Sequence, residues 1–495
     1  MSEYETVGLK PSAEPARFRA RDLGLETGIY LPGDHNAITD VPGVLVGQKT
    51  VWKDPPEVRD VSHRVRSGVT AVLPHSGDML RRKVPCGIYL GNAFGKLTGY
   101  TQVKELGSIE TPILLTSTLN VPKVADALIT YVLQLAGNEE VRSVNPIVGE
   151  TNDGDLSDCR SRPVQAQDVV DALMGARGGP VLEGSVGAGT GTCCLGWKGG
   201  IGTASRILPP KGAGYTVGVL VQTNFGGLLT VNGAAVGREL GTFPYRGNVA
   251  QQDGSCMVIA ATDAPLCSRN LERLAKRAMH GLVKCGSSGS TGSGDYAIAF
   301  STAYTVPYDG PVEFLNEAAV SALFLAAQEA SEEAVLNSML KATTVVGRDE
   351  HCSRAIPLEH VIGICDRHDV LFAHSKLPPW APTSREGSLE DCGGRLEALV
   401  EHVSCAQIPD GTKSSLLGTL NGARKQSSEA LMFIREAKEE QANNALRTCS
   451  KMIETARSQV MRDDGIPEPY ASLFVSHANL GTWVCEKAGA TRSSR

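Results

Sequence analysis

Long apolar runs are missing from this chain of 495 residues. No stretch offers the roughly 18 uninterrupted apolar residues that a membrane span requires, and residues 1–21 are polar, without the apolar core of a signal peptide. The cysteines form no framework: there are 13, an odd number, and none stands in a Cys-x-x-Cys arrangement, although Cys193 and Cys194 are adjacent. Without a secretory signal they read as reduced thiols, mostly in the core, and the expected location is cytoplasmic. The 10 histidines include no His-x-His or His-Glu-x-x-His arrangement, so no metal site and no cofactor are expected. Basic charge is not in excess either: 48 Lys and Arg face 54 Asp and Glu, a net charge of −6. That balance argues against a nucleic-acid partner and against a polybasic membrane surface.

What is present is an ordinary soluble composition, 41% hydrophobic and 21% charged, with an unusual amount of glycine at 54 residues. The length suffices for a large core and for more than one domain. Much of the glycine sits in short Gly/Ser/Thr clusters, which suggests backbone packed close to a site rather than a linker. Strand-like apolar runs at 68–73, 113–116, 216–221, 255–261 and 297–300 alternate with Gly-rich turns. Residues 268–284 read as a helix capped by Ser268, with Leu271, Leu274, Ala275, Ala278 and Leu282 on one face and Gly286 at the stop. Residues 313–341, rich in Ala, Leu and Glu, are helical almost throughout.

Three parts follow from this pattern. Residues 1–18 are a polar arm, 19–366 a strand-and-helix region of α+β type, and 367–495 a helical extension. The extension opens on a Pro-rich joint at 377–382 and continues with a helix at 389–408 and one or two helices over 414–460. A small bundle of this kind can mediate oligomer contact, cover part of the core or close over a site.

The chemistry concentrates at Gly254-Ser255. The apolar run 255–261 opens abruptly on a serine, directly after a glycine and the loose polar stretch 245–253. If the chain were cut there, Ser255 would be a new N-terminus carrying a hydroxyl nucleophile and an α-amine of pKa roughly 8, able to act as base. The plain alternative is a loop ending where a core strand begins. Similar pairs of readings hold elsewhere. Asn224 closes an apolar strand; Ser293 and Asp295 lie in Gly292-Ser-Gly-Asp, which reads equally as a Ser-rich turn. Glu150 lies in Gly149-Glu-Thr-Asn-Asp-Gly154, which reads as a surface turn. The cluster at 187–191 does not match G-x-G-x-x-G, and no G-K-[ST] follows, so a nucleotide loop is not supported.

Seven segments in one order weigh these alternatives. They are Asn36-Ala-Ile-Thr-Asp-Val-Pro-Gly43, Val148-Gly-Glu-Thr-Asn-Asp-Gly154, Gly187-Ala-Gly-Thr-Gly191, Trp197-Lys-Gly-Gly-Ile-Gly-Thr-Ala-Ser205, Val221-Gln-Thr-Asn-Phe-Gly226, Gly254-Ser255 and Gly292-Ser-Gly-Asp-Tyr296. Over residues 19–358 the chain resembles the DmpA-type aminopeptidase family, which includes L-aminopeptidase/D-Ala-esterase/amidases and β-peptidyl aminopeptidases.

The resemblance implies an αββα sandwich shared with ornithine acetyltransferases, and self-cleavage between Gly254 and Ser255. It makes Ser255 the nucleophile and Asn224 the donor to the developing oxyanion, with backbone N–H groups of Gly187–Gly191 as further candidates. Ser293 and Asp295 would support the nucleophile and its amine; some relatives carry Glu in place of Asp295. Glu150 would hold the substrate ammonium, with Asn152 beside it. Asn152 stands where relatives often carry an aromatic residue, and Lys96 where they commonly carry an acid. The expected activity is a metal-free aminopeptidase/amidase acting on small peptides, amides or esters, including β- or D-configured ones, as a homo-oligomer of processed two-chain protomers. An acyltransferase using the same acyl-Ser255 intermediate is the alternative.

Overall fold

The computed structural model describes residues 17–55, 60–209, 214–244, 254–308, 310–373, 410–436 and 438–460, with positions 393, 394, 396, 397, 399, 400, 403 and 404. The polar stretch 245–253 and the Pro-rich joint 377–382 lie outside the described residues, as do residues 1–16 of the arm. The contacts divide the chain into two units, one containing Tyr30–Gly227 and Phe243–Ile356, the other Ala20–Ile29, Leu228–Thr242 and the described residues after Pro357.

The first unit is built on two sheets. One has the order β1-β2-β5-β6, from β1 (Leu45–Lys53), β2 (Val65–Leu73), β5 (Ile113–Ser117) and β6 (Ile147–Thr151). The other has the order β4-β3-β12-β11-β10-β9, from β3 (Val84–Ala93), β4 (Ser108–Ile109), β9 (Ile201–Ile207), β10 (Thr216–Asn224), β11 (Ser255–Thr262) and β12 (Gly294–Ser301). Pairing is parallel between β5 and β6 and between β11 and β12, and antiparallel elsewhere in both sheets. Two short hairpins, β7 (Cys193–Cys194) with β8 (Trp197–Lys198) and β13 (Val345–Val346) with β14 (Cys352–Ser353), complete the strands among the described residues.

Strand alternation places the core. Ile113, Leu115 and Ile147 share one cluster with Leu220, Met257, Ile259, Ile298 and Phe300 of the larger sheet. Leu114 and Val148, one residue out of phase, join Val124, Leu128, Val169 and Leu173 of the helices Val121–Leu133 and Ala166–Met174. Successive side chains of a strand point to opposite faces, so one set of strands serves two layers. The helices Ser268–Lys284 and Glu317–Leu340 cover the outer face of the larger sheet. A side chain at Gly202 of β9 would strike the backbone of Ala334, and one at Gly87 of β3 the backbone of Glu272. Helices, two face-to-face sheets and helices again make the αββα sandwich that the resemblance implied.

The helices depart from expectation in detail. Ser268 is the first residue of its helix rather than its cap, and no side chain caps that end. The expected face, Leu271 to Leu282, is buried as read. The next helix starts at Glu317 rather than 313, because the Asn316 side chain accepts from the Ala318 N–H at 2.7 Å. Its second half has no water-facing side: Glu329, Glu332 and Glu333 are buried. Arg206 of β9 meets Glu329 at 3.3 Å and Glu333 at 2.8 Å, and Lys284 pairs with Glu332. Long-range pairing of this kind leaves no trace in a helix's own periodicity.

In the second unit, the stretch expected as one or two helices is two, Asp410–Arg435 and Glu439–Val460. Leu416, Leu420, Ala423 and Ala430 pack with Leu446, Ile453 and Ala456, and with Leu396, Leu399 and Val403. The described positions between 393 and 404 are helical. The helix Leu358–Arg367 was not legible in the sequence. Among the described residues, no helix is long and apolar enough to cross a membrane.

Candidate active site

Ser255 is the first residue of β11, held between the ends of two neighbours: it stands opposite Asn224, the last residue of β10, and opposite Gly294, the first of β12. Its side chain is almost fully buried, at 4% exposure. The hydroxyl donates to the carbonyl oxygen of Gly254 at 2.6 Å. The same oxygen accepts the Gly294 N–H at 3.2 Å, and that N–H also approaches Ser255 Oγ at 3.4 Å. A carbonyl gripped by two donors is polarised toward attack at carbon.

Ser293 and Asp295 flank this point. Ser293 donates its hydroxyl to Asp295 Oδ1 at 2.8 Å, and its Oγ lies 3.1 Å from where a Gly254 Cβ would stand. Burial pushes the Asp295 carboxyl above its ordinary range, opposed by the Ser293 hydroxyl and the Cys256 backbone N–H. That N–H ties the acid to the peptide following Ser255.

The Asn224 amide is fixed at both ends. Its Oδ1 accepts the Cys193 N–H at 3.0 Å and its Nδ2 donates to the Asn152 carbonyl at 3.0 Å. Asn152 contributes here through its backbone; its own side chain is exposed and accepts the Gly154 N–H at 2.9 Å. The Gly187–Gly189 turn is buried, and the N–H groups of Gly187, Ala188 and Gly189 are taken by Thr50 Oγ1, Thr70 Oγ1 and the Val186 carbonyl. Those three donors therefore serve the fold.

Glu150 is not at a surface turn. It lies in β6 at 2% exposure. Oε1 accepts the Lys96 N–H at 3.0 Å, and Lys96 Nζ, which donates to Thr118 Oγ1 at 2.8 Å, approaches the same oxygen at 3.8 Å. Oε2 is buried without a hydrogen-bond partner among the described residues. Burial raises the Glu150 pKa, opposed by Lys96 and by the Thr118 hydroxyl.

Two charged residues of the quoted motifs escaped sequence reasoning. Asp153 is 1% exposed, and burial, reinforced by Glu150, pushes its carboxyl up to about 7 against the hydroxyls of Ser67 and Ser117. Lys198 is fully buried among backbone carbonyls. The only signal for either was a charged residue inside a Gly-rich run. Among the described residues, no group of three or more His, Cys, Asp or Glu is gathered as a metal ion would need.

At the start of β11 the structure thus brings together a buried serine hydroxyl on the preceding carbonyl, a backbone donor to that oxygen, an oriented amide across the strand and a buried carboxyl group. Comparison with known proteins gives the family and the fold. The model of peptidase family S58 fits residues 36–353. The β-peptidyl aminopeptidase BapA of Sphingosinicella microcystinivorans is 39% identical over 374 residues, covering 72% of this chain and 93% of the relative. The PH0078 protein from Pyrococcus horikoshii OT3 superposes with a TM-score of 0.65 at 43% identity, over 71% of this chain and 99% of that one. The L-aminopeptidase D-Ala-esterase/amidase of Ochrobactrum anthropi, described as a prototype serine aminopeptidase and a variant of the Ntn-hydrolase fold, does so at 0.65 and 36% identity, over 71% of this chain and 99% of its own. The chain belongs to peptidase family S58, of the DmpA and BapA type, and is a hydrolase of the N-terminal-nucleophile aminopeptidase class.

Proposed function

We propose that the chain cuts itself between Gly254 and Ser255 and then works as a serine aminopeptidase/amidase, releasing N-terminal residues from small peptides, amides or esters through an acyl-Ser255 intermediate. The observation that carries this reading is the Ser255 hydroxyl on the Gly254 carbonyl oxygen at 2.6 Å, with the Gly294 N–H on the same oxygen at 3.2 Å. In the processing step, Ser255 Oγ bonds to the Gly254 carbon and the C–N bond to Ser255 breaks. The hydroxyl proton ends on the departing amine, and water then hydrolyses the ester to leave Gly254 as a carboxylate.

In turnover, the freed α-amine takes the Ser255 hydroxyl proton as Oγ attacks the substrate carbonyl, and returns it to the leaving amine. Asn224 Nδ2 supplies a hydrogen bond to the oxyanion, a contribution typically worth about 3–4 kcal/mol when one such donor is lost. Asp295, tied to Ser293 and to the Cys256 N–H, stabilises the protonated amine. Glu150 receives the substrate ammonium on Oε2, whose lack of a partner leaves one acceptor unsatisfied. The names of relatives that act on β-peptides and D-Ala esters or amides support the substrate class.

N-terminal sequencing and intact mass of the purified protein test the reading. The expected result is two chains, the second beginning at Ser255, and a Ser255→Ala chain that stays whole and inactive. A fully active, wholly uncut preparation overturns it.

A further inference from the structure

Lys198 takes no part in the chemistry above, yet it is among the largest fully buried side chains of the protein. A buried cation is costly unless each of its protons is bonded. Here each is: Nζ donates to the carbonyls of Gly189 at 2.9 Å, Thr192 at 2.8 Å and Gly199 at 2.8 Å. Burial lowers its pKa to about 8, against the influence of Cys193, Cys194 and Asp153, so the group is mainly charged at neutral pH. A neutral side chain of similar length would fill the space without that cost, so the three bonds themselves need a reason.

The reason lies in which peptide is held. The Thr192 carbonyl and the Cys193 N–H are the two ends of one planar peptide group, and such a plane turns as a unit. One end accepts from Lys198; the other donates to Asn224 Oδ1 at 3.0 Å. Cys193 stands directly opposite Lys198 in the β7–β8 hairpin, and the Leu195 N–H holds the Phe225 carbonyl at 2.7 Å, so the hairpin is docked on Asn224 and on the residue that follows it. A charged donor on the carbonyl also polarises the N–H at the other end of the peptide. We propose that Lys198 is a positioning residue, which sets the Thr192–Cys193 peptide and through it aims the Asn224 amide at the reacting carbonyl.

This inference rests on the reading of Asn224 as the oxyanion donor, so its test includes Asn224. The full chain carrying Lys198→Gln, Lys198→Met or Asn224→Ala is assayed on amino-acid 4-nitroanilides. The kcat is normalised to the amount of Ser255 N-terminus, and the inhibition constant of the free amino-acid product reports ground-state binding. Glutamine keeps part of the donor set and methionine none, so kcat should fall about tenfold and then about a hundredfold, with the inhibition constant within twofold. Unchanged kcat, equal losses in kcat and product affinity, or a series in which every Lys198 variant fails to fold or process would each place the lysine in the scaffold and overturn the proposal. If Asn224→Ala keeps full kcat, the oxyanion reading falls and this inference with it. If Asn224→Ala loses kcat while the lysine series does not, only the inference falls.

Discussion

Ser255 faces Asn224 directly across the antiparallel pair of β10 and β11, so the proposed nucleophile and the proposed amide donor are set by one strand register. A slip of β11 by one residue would turn the Ser255 side chain to the opposite face and leave Asn224 without it. Asn224→Asp separates the two functions of the amide. It keeps the oxygen that accepts the Cys193 N–H at 3.0 Å but removes the Nδ2 donor. We expect kcat to fall about 10²–10³-fold with product affinity retained, measured on amino-acid anilides per mole of free Ser255 N-terminus.

Asp295 should govern the pH at which the Ser255 amine becomes a base. A carboxylate beside an ammonium favours the charged form and raises the amine's pKa. Asp295→Asn therefore moves the acid limb of kcat/KM to lower pH, since the amine loses its proton more readily, while the amide oxygen can still accept the Ser293 hydroxyl that Asp295 Oδ1 now accepts at 2.8 Å. A pH–rate profile of wild type and variant checks the direction; an unmoved limb would separate Asp295 from the amine.

Glu150 offers the test of amine recognition. Glu150→Gln should lower kcat/KM for substrates with a free N-terminal amine by about ten- to a hundredfold, the value of a charge-assisted hydrogen bond. N-acetylated substrates should stay equally poor, and processing at Gly254 should continue because no substrate amine takes part in it. Equal losses on free and blocked substrates would make Glu150 a structural partner of Lys96.

Asp153 makes stability depend on pH. Its folded pKa is raised from 3.8 to about 7, so between these values the folded chain keeps a proton that the unfolded chain has released. Stability then falls as pH rises through that window. Asp153→Asn removes the effect, and its melting temperature should gain on wild type as pH rises from about 4 to about 7 and hold that gain above, by the equivalent of a few kcal/mol at most. Parallel melting profiles across this range would show that Asp153 carries no such penalty.

Individual strands and helices were legible because local signals carry them, whereas the αββα layering came from the family resemblance. The runs 113–116 and 216–221 became β5 and β10, and the apolar face of 268–284 became the buried face of its helix. Glu150 was harder. Five residues of β6 look like a turn until parallel pairing with β5 buries them, and that pairing is long-range. The burial of Glu329 and Glu333 depends on Arg206, more than a hundred residues earlier in the chain. Lys198 was hidden for the opposite reason: its partners are backbone carbonyls, which every residue has and no sequence pattern marks.

The Gly294 N–H that now holds the Gly254 carbonyl has a consequence for what comes after the cut. On the proposed cut, Gly254 would leave as a carboxylate and the donor would stay at the mouth of β12 with its tenant gone. Whatever acyl group Ser255 carries next inherits that berth. In that reading the uncut chain is a bound pseudo-substrate, and the shape of its last residue before the cut would be a template for the acyl groups the processed site seats. Small, unbranched residues fit the outline that a glycine leaves behind.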